Sequence, residues 1–320
     1  MSDGASASTP APWAQRGARA AAWRLLGPRL AYVLHTRPTE WPIMAAHTAL
    51  GWLLAVGLDG AVRGEHGRAA VIGIAAWVVG LNGGTLAINS AFDRDEGDIA
   101  YLRQPPPAPA HLFAFGLGLM TAGQVVALTL PRAFAAVYAL CFVLSVLYSV
   151  PPVRLKAVAG ADWLINMWGF GTLTPFAGWA VTGLPLDPSR GLVLLAFCPL
   201  FAALYPLTQL YQMDEDRRRG DRTLAVRLGL QRSLRVACAA TAAAFGLFVA
   251  AGLRAGWRAA PADLARWGGL LLAAAGWTAV LAPWLAAGER RSAADHQRGM
   301  YWALGAWALT DLVVALAWGR

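Results

Sequence analysis

Apolar residues in this chain gather into nine stretches of roughly 18 to 24 residues, each long enough to cross a hydrocarbon core as a helix, with short polar stretches between them. They fall at 40–62, 69–92, 111–128, 132–150, 161–183, 190–212, 232–253, 266–287 and 299–318. The runs are continuous and rich in Ala, Leu, Gly and Trp, without the alternation in ten-residue segments that marks a membrane barrel, so the pattern predicts helices. The fold class expected is all-α: a polytopic membrane protein, a bundle of nine transmembrane helices. No polar linker interrupts the runs for long enough to separate two units, so 39–320 is read as one transmembrane domain.

Residues 1–38 are read as a tail on that domain. The first fifteen are rich in Ser, Ala and Pro, hold no apolar core of signal-peptide length, and are expected to be disordered. From Arg16 to Arg37, basic residues alternate with Trp23, Leu25, Leu26, Leu30, Tyr32 and Leu34. That pattern suits an amphipathic helix lying on an anionic membrane surface, or a plain solvated lead-in.

Composition agrees with the pattern. At 57% hydrophobic and 14% charged over 320 residues, the chain has too little polar surface to cover a soluble domain of its size. A net charge of +9 raises the question of nucleic acid. Most of the 27 Lys and Arg, however, lie in the tail and in alternate loops, so they read as a positive-inside topology signal and no nucleic-acid partner is expected. The N-terminus is then placed on the cytoplasmic side, with a prokaryotic cytoplasmic membrane as the expected location. Cys141, Cys198 and Cys238 all fall inside predicted spans and read as small buried apolar side chains. His35, His47, His66, His111 and His296 show no ligand-like spacing and are expected to be interfacial or structural.

Two loops stand apart. The one after the second run reads Asn89-Ser-Ala-Phe-Asp93-Arg94-Asp95-Glu96-Gly97-Asp98. The one after the sixth reads Gln212-Met-Asp214-Glu215-Asp216-Arg-Arg-Arg-Gly220-Asp221-Arg222-Thr223-Leu224. If the second helix continues to Asp93, Asn89 and Asp93 share a face and reach one ion. Gln209, Gln212 or Met213, and Asp216 would form a comparable stripe on the sixth helix, with Asp214 beside it. Two sets of hard oxygen ligands at one membrane depth suit Mg²⁺, which takes one or two carboxylates together with waters and substrate phosphate oxygens. Solvated loop charges paired with neighbouring arginines are the plain alternative.

Basic residues flank both sets: Arg94 and Arg103 after the first, Arg154 and Lys156 after the fourth run, and Arg222 after the second motif. Acidic clusters, a divalent metal and a cationic rim together describe a diphosphate site. Phosphate loops of the nucleotide-binding kind, His-Glu-x-x-His, Cys-x-x-Cys and Gly-x-Ser-x-Gly are all absent, which leaves metal-assisted ionisation as the chemistry.

The chain resembles the UbiA superfamily of intramembrane prenyltransferases. The resemblance rests on Asn89-x-x-x-Asp93 followed by an acidic run and Arg103-Gln-Pro-Pro-Pro, on Leu147-Tyr148-Ser-Val-Pro-Pro-Val-Arg154-Leu-Lys156, and on Asp216-Arg-Arg-Arg-Gly220-Asp-Arg222-Thr-Leu. It implies a nine-helix bundle around a central cavity, in which Mg²⁺ holds a polyprenyl diphosphate whose departure leaves an allylic cation to alkylate a lipophilic, aromatic acceptor. Asn89 and Asp93 would hold one metal, Asp214 and Asp216 the other, and Arg103, Lys156 and Arg222 would contact the diphosphate. Ser90 and Gly97 replace two acids of the usual first motif, so Asp95 or Asp98 is expected to complete that set. Gln212 stands where the second motif usually begins.

Tyr148, Trp163, Trp168, Phe170 and Trp179 are expected to give the cation a π-rich wall, and Asn166 is the expected polar contact for the acceptor. Asp93, Asp216, Lys156 and Tyr148 are the residues expected to be catalytic. A membrane terpene cyclase is the alternative within this chemistry, and a secondary transporter or a non-catalytic scaffold the alternatives outside it. The acceptor, the prenyl chain length and the oligomeric state carry no sequence signal.

Overall fold

The computed structural model describes residues 17–93, 102 and 104–319, with Arg219 and Glu289 described by backbone alone. The described residues are mostly helical, with no strand among them. Two short helices, α1 (Gly17–Leu26) and α2 (Leu30–His35), precede the bundle. The bundle comprises α3 (Trp41–Val62), α4 (Gly67–Ala75), α5 (Gly84–Asp93), α6 (Leu112–Ala127), α7 (Arg132–Ser149), α8 (Ala161–Asn166), α9 (Thr174–Ala180), α10 (Pro188–Gln209), α11 (Met213–Arg219), α12 (Leu224–Leu228), α13 (Leu230–Arg254), α14 (Pro261–Ala287) and α15 (Ala293–Trp318).

Among the described residues, seven helices are long and apolar enough to cross a membrane: Trp41–Val62, Gly67–Asp93, Arg132–Ser149, Pro188–Arg218, Leu230–Arg254, Pro261–Ala287 and Ala293–Trp318. The other two apolar runs differ in form. One is the 16-residue α6. The other is divided into α8, a π-helical stretch Met167–Leu173 and α9. A second π-helical stretch, Ala76–Gly83, joins α4 to α5. Insertions of this kind widen a helix and recur where helices form functional sites.

Local signals explain the helix starts. Asp187 caps α10 by accepting from the backbone N–H groups of Ser189 and Arg190, and Pro188 supplies a preset first residue. Ser292 and Asp295 form a reciprocal capping box at the start of α15. α10 runs through the interior, where Val193, Phe197, Leu200 and Leu207 share one core with α13 and Phe197 meets Trp307. A second core gathers Trp77, Phe134, Tyr138, Ile88 and Met120 between α4 to α7.

Helices α3 and α9 cross in backbone contact. A Cβ on Gly51 would sit 1.6 Å from the Pro175 carbonyl oxygen, and one on Gly178 would sit 1.7 Å from that of Thr48. Small residues that let backbones touch are how helices associate where lipid removes the hydrophobic drive. Upstream, α2 is tied to the bundle: His35 Nε2 lies 3.0 Å from the Pro106 carbonyl, and Tyr32 meets Phe115 edge to face.

Candidate functional site

The second apolar run does continue as a helix to Asp93, so Asn89 and Asp93 lie one turn apart on α5. Lys156, in the turn Leu155–Ala157, donates to Asn89 Oδ1 at 2.8 Å and ion-pairs with Asp93. Ser149, the last residue of α7, donates to the same Asn89 oxygen at 3.2 Å. Lys156 and Asp93 have side chains only 11% and 15% exposed, so their attraction is less screened than that of a surface pair.

Arg154 links this group to the second motif. Its Nη2 is 3.6 Å from Asp93 Oδ1 and its Nη1 is 3.3 Å from Asp221 Oδ1. The backbone at Arg154 is left-handed, with φ +35°, a conformation that turns the chain between α7 and α8. Arg94, Asp95, Asp98 and Arg103 lie outside the described residues.

The second acidic motif differs from the expected stripe. α10 ends at Gln209, a 3₁₀ turn spans Leu210–Gln212, and α11 begins at Met213. That change of screw separates the side chains that a continuous helix would have aligned. Gln209 faces inward, donating to Asp162 Oδ2 at 3.2 Å and accepting from Ala225 N at 3.1 Å, and Met213 is buried. Asp216 accepts from Thr223 Oγ1 at 3.2 Å. Asp214 points outward, 88% exposed, and holds Arg217 at 3.0 Å. Gln212 is half-buried and Arg222 is exposed.

A cavity of about 230 Å³ runs inward from Asn89 between α3, α5, α7 and the two π-helical stretches. Met44, Leu81, Leu86 and Leu144 make its walls apolar, while Asn82, Thr85, Ser145 and Asn166 add polar points. Tyr148, Phe170 and Trp77 supply aromatic surface. The Tyr148 hydroxyl meets that of Tyr205 at 3.0 Å, and the Trp77 Nε1–H points to Thr174 Oγ1 at 3.3 Å. Asn166 also lines the cavity, although its amide N–H donates to the Asp162 carbonyl at 2.7 Å.

Three of the aromatics expected on this wall are elsewhere. Trp163 donates to the Ala202 carbonyl, Trp168 is exposed, and Trp179 is buried in the second half of the bundle, donating to the Leu184 carbonyl. On a helix Trp168 already lies on the face opposite Phe170, and Trp163 is turned to α10 by its bond to Ala202.

The sequence reading passed over several groups here. Asp221 stood in the second motif without a role, and only the fold brings it to Arg154. Asp162, wholly buried, accepts from Gly160 N at 2.8 Å and Leu224 N at 3.3 Å as well as from Gln209. A lone acid at the start of an apolar run was the available signal. Arg37 and Glu40, 3.5 Å apart, line the cavity beside Asn82, whose buried amide nitrogen has no hydrogen-bond partner among the described residues.

Comparison with known proteins gives a consistent result. The sequence model of the UbiA prenyltransferase family matches residues 44–305. The fold is similar to that of a UbiA homolog from Archaeoglobus fulgidus bound to DMAPP and Mg²⁺, with a TM-score of 0.63, 17% identity, and coverage of 86% of this chain and 99% of that one. The same homolog bound to GPP and Mg²⁺ aligns with a TM-score of 0.59 at 16% identity, covering 87% of this chain and 99% of that one. No curated protein matches the sequence.

Proposed function

This chain belongs to the UbiA prenyltransferase family, and from that membership we propose that it transfers a polyprenyl group from an isoprenoid diphosphate to a lipophilic, aromatic acceptor, releasing diphosphate. The observation that carries the reading is the convergence of Asn89, Asp93, Lys156 and Arg154 at the mouth of an apolar, aromatic-walled cavity. A charged end that holds a diphosphate and a dry pocket that holds a hydrocarbon and an acceptor are the two surfaces such a transfer needs.

The donor set fits Mg²⁺. Asn89 Oδ1 and an Asp93 carboxylate oxygen already converge on a single cation, the Lys156 ammonium, and both are the hard oxygens that Mg²⁺ takes. Asn89 and Asp93 would hold one ion, with Asp95 or Asp98 completing its set, and Asp214 and Asp216 would serve a second. When bound, the metal neutralises the charge that builds on the departing diphosphate. Lys156, Arg154 and Arg222 would bind the remaining diphosphate oxygens, with Arg94 and Arg103 nearby in sequence, and Gln212 would line the entry.

Within the cavity, Tyr148, Phe170 and Trp77 present π faces to the allylic cation and exclude water that would quench it. Asn166 supplies a polar contact for the acceptor. The tail and the acidic motifs are placed on the cytoplasmic side, by the distribution of arginines.

The test is pyrophosphate release by the purified full chain with prenyl diphosphates of C10 to C20 and longer and pooled phenolic acceptors. Release should require Mg²⁺ and fall by about 10² to 10³ in Asp93→Asn and Asp216→Asn, and mass spectrometry of the lipid product separates transfer from cyclisation. A folded protein that releases nothing from any donor overturns the reading.

A further inference from the structure

At the end of the bundle opposite Asp93, a cavity of about 460 Å³ opens between the start of α10, the end of α13, the start of α14 and the end of α15. Three arginines line it from three different helices: Arg190, Arg254 and Arg266. Trp257 and Trp318 lie between them, and Asp187 is the one carboxylate among the lining residues.

Two of the three guanidinium groups are held in place. Arg190 donates through Nη1 to Asp187 at 3.1 Å and through Nη2 to the Trp318 carbonyl at 3.2 Å. Arg266 donates to Asp263 at 2.8 Å and lies 5.4 Å over the Trp257 ring. In both, the Nε–H is buried behind the cavity surface, with no hydrogen-bond acceptor among the described residues. Arg254 is exposed at the cavity and makes no ion pair among the described residues. With Arg258, whose backbone N–H is bonded to Asp263, four arginines here face two carboxylates, Asp187 and Asp263.

That balance runs against the topology rule. Arginines are sparse on the outer side of a membrane protein, yet here they converge on one pocket. Arg190 and Arg266 are held rigidly yet stay 31% and 24% exposed, so both present guanidinium surface to the cavity. A planar guanidinium fork matches phosphate oxygens, and tryptophans at helix ends sit at headgroup depth.

We propose that this cavity binds a phosphate-bearing anion at headgroup depth, on the membrane face opposite the acidic motifs. Arg190 and Arg266 form a prepositioned floor for the phosphate, Arg254 closes over it from the rim, and the two tryptophans pack the adjoining glycerol or acyl carbons. The occupant this favours is the headgroup of an anionic phospholipid, with free phosphate as the other source of the same chemistry.

Native mass spectrometry of the full chain, incubated in detergent with phosphatidylglycerol or phosphatidylcholine, tests this. Phosphatidylglycerol adducts should predominate and fall about five-fold for each arginine removed in Arg254→Gln and Arg190→Gln/Arg254→Gln. Arg132→Gln, an exposed site at the same end of the bundle, should leave them unchanged. Arg254→Gln keeps every contact of Arg190 and Arg266, so it reads binding even if the double variant folds poorly. Thermal unfolding with inorganic phosphate is the second arm: stabilisation that disappears in Arg254→Gln, without selective lipid adducts, supports the anion site and assigns it to a free anion. Equal retention of the two lipids, or adducts indifferent to the substitutions, together with no effect of phosphate, overturns the proposal.

Discussion

His47 and Asp311 meet inside the bundle, with Nδ1 of the ring 3.0 Å from Oδ1 of the carboxylate and 3.1 Å from Oδ2. The other ring nitrogen, Nε2, lies 3.3 Å from the carbonyl of Gly171 in the π-helical stretch that borders the cavity. Phe197 and Trp307 pack edge-on to the ring, so water has little access to either group. A buried polar pair of this kind is far more costly to halve than to remove. Asp311→Ala and His47→Ala are each expected to lower stability by about 3 kcal/mol. His47→Leu/Asp311→Leu is expected to recover a large part of that loss. Thermal midpoints of the three variants in one detergent decide it, and a double variant that loses as much as the two single variants together would show that the pair is not coupled.

Asp93→Asn and Lys156→Met should separate two roles in the charged cluster. Asp93 accepts from Lys156 and lies 3.6 Å from Arg154, so its loss removes the anion that organises both cations. Pyrophosphate release should fall by about 10² to 10³ with Asp93→Asn, the scale of removing one electrostatic element of such a site. Lys156→Met leaves Arg154 and Asp221 paired, and its loss should appear chiefly as a raised KM for the diphosphate. A full set of donor titrations, with kcat and KM resolved, checks the contrast.

The two acidic motifs show what could be read in advance and what could not. Asn89 and Asp93 depend only on helical periodicity, and α5 keeps that period through Asp93. Gln209 to Asp216 does not, because the 3₁₀ turn at Leu210–Gln212 is accompanied by contacts remote in sequence: Gln209 to Asp162, 47 residues away, and to Ala225, 16 away. The aromatic wall was legible in part: Tyr148 and Phe170 line the cavity, joined by Trp77 from another span. Trp163 and Trp168 lie on the same run as Phe170, and only the packing of that run, with Trp163 turned to the Ala202 carbonyl of α10, decides which of them reaches the cavity. Membrane character and the all-α fold were legible because they follow from run length and hydropathy, which no tertiary contact overrides.

Gly51 and Gly178 set the approach of α3 to α9. Ala at either position brings a methyl group to 1.6 Å or 1.7 Å from a backbone carbonyl oxygen, which neither backbone can evade without moving its helix. Each substitution is expected to cost about 3 kcal/mol or more and to reduce detergent-stable yield. Gly246→Ala, where a Cβ meets nothing within 4 Å, should be neutral or slightly stabilising in the same unfolding assay.

Asp162 joins three chain segments that sequence leaves far apart. One carboxylate oxygen accepts from Gly160 N, and the other takes both Gln209 Nε2 and the Leu224 backbone N–H, the first residue of α12. Asn at this position keeps the shape but offers one acceptor where the carboxylate offers two, so a donor on one side is left facing an amide N–H₂. The cost expected is about 1 to 3 kcal/mol. Because Gln209 in turn accepts from Ala225 N, the loss should spread to α12 and loosen the segment that carries Asp221 and Thr223 beside the acidic motifs. Hydrogen exchange of the amides at 222–226 is the direct readout. Asp162→Asn should accelerate it by about ten-fold or more, the factor that corresponds to 1.4 kcal/mol of local opening, with exchange in α13 unchanged. Unaltered protection at 222–226 would mean that α12 is held by its apolar contacts, Leu224 and Ala225, and not by the carboxylate.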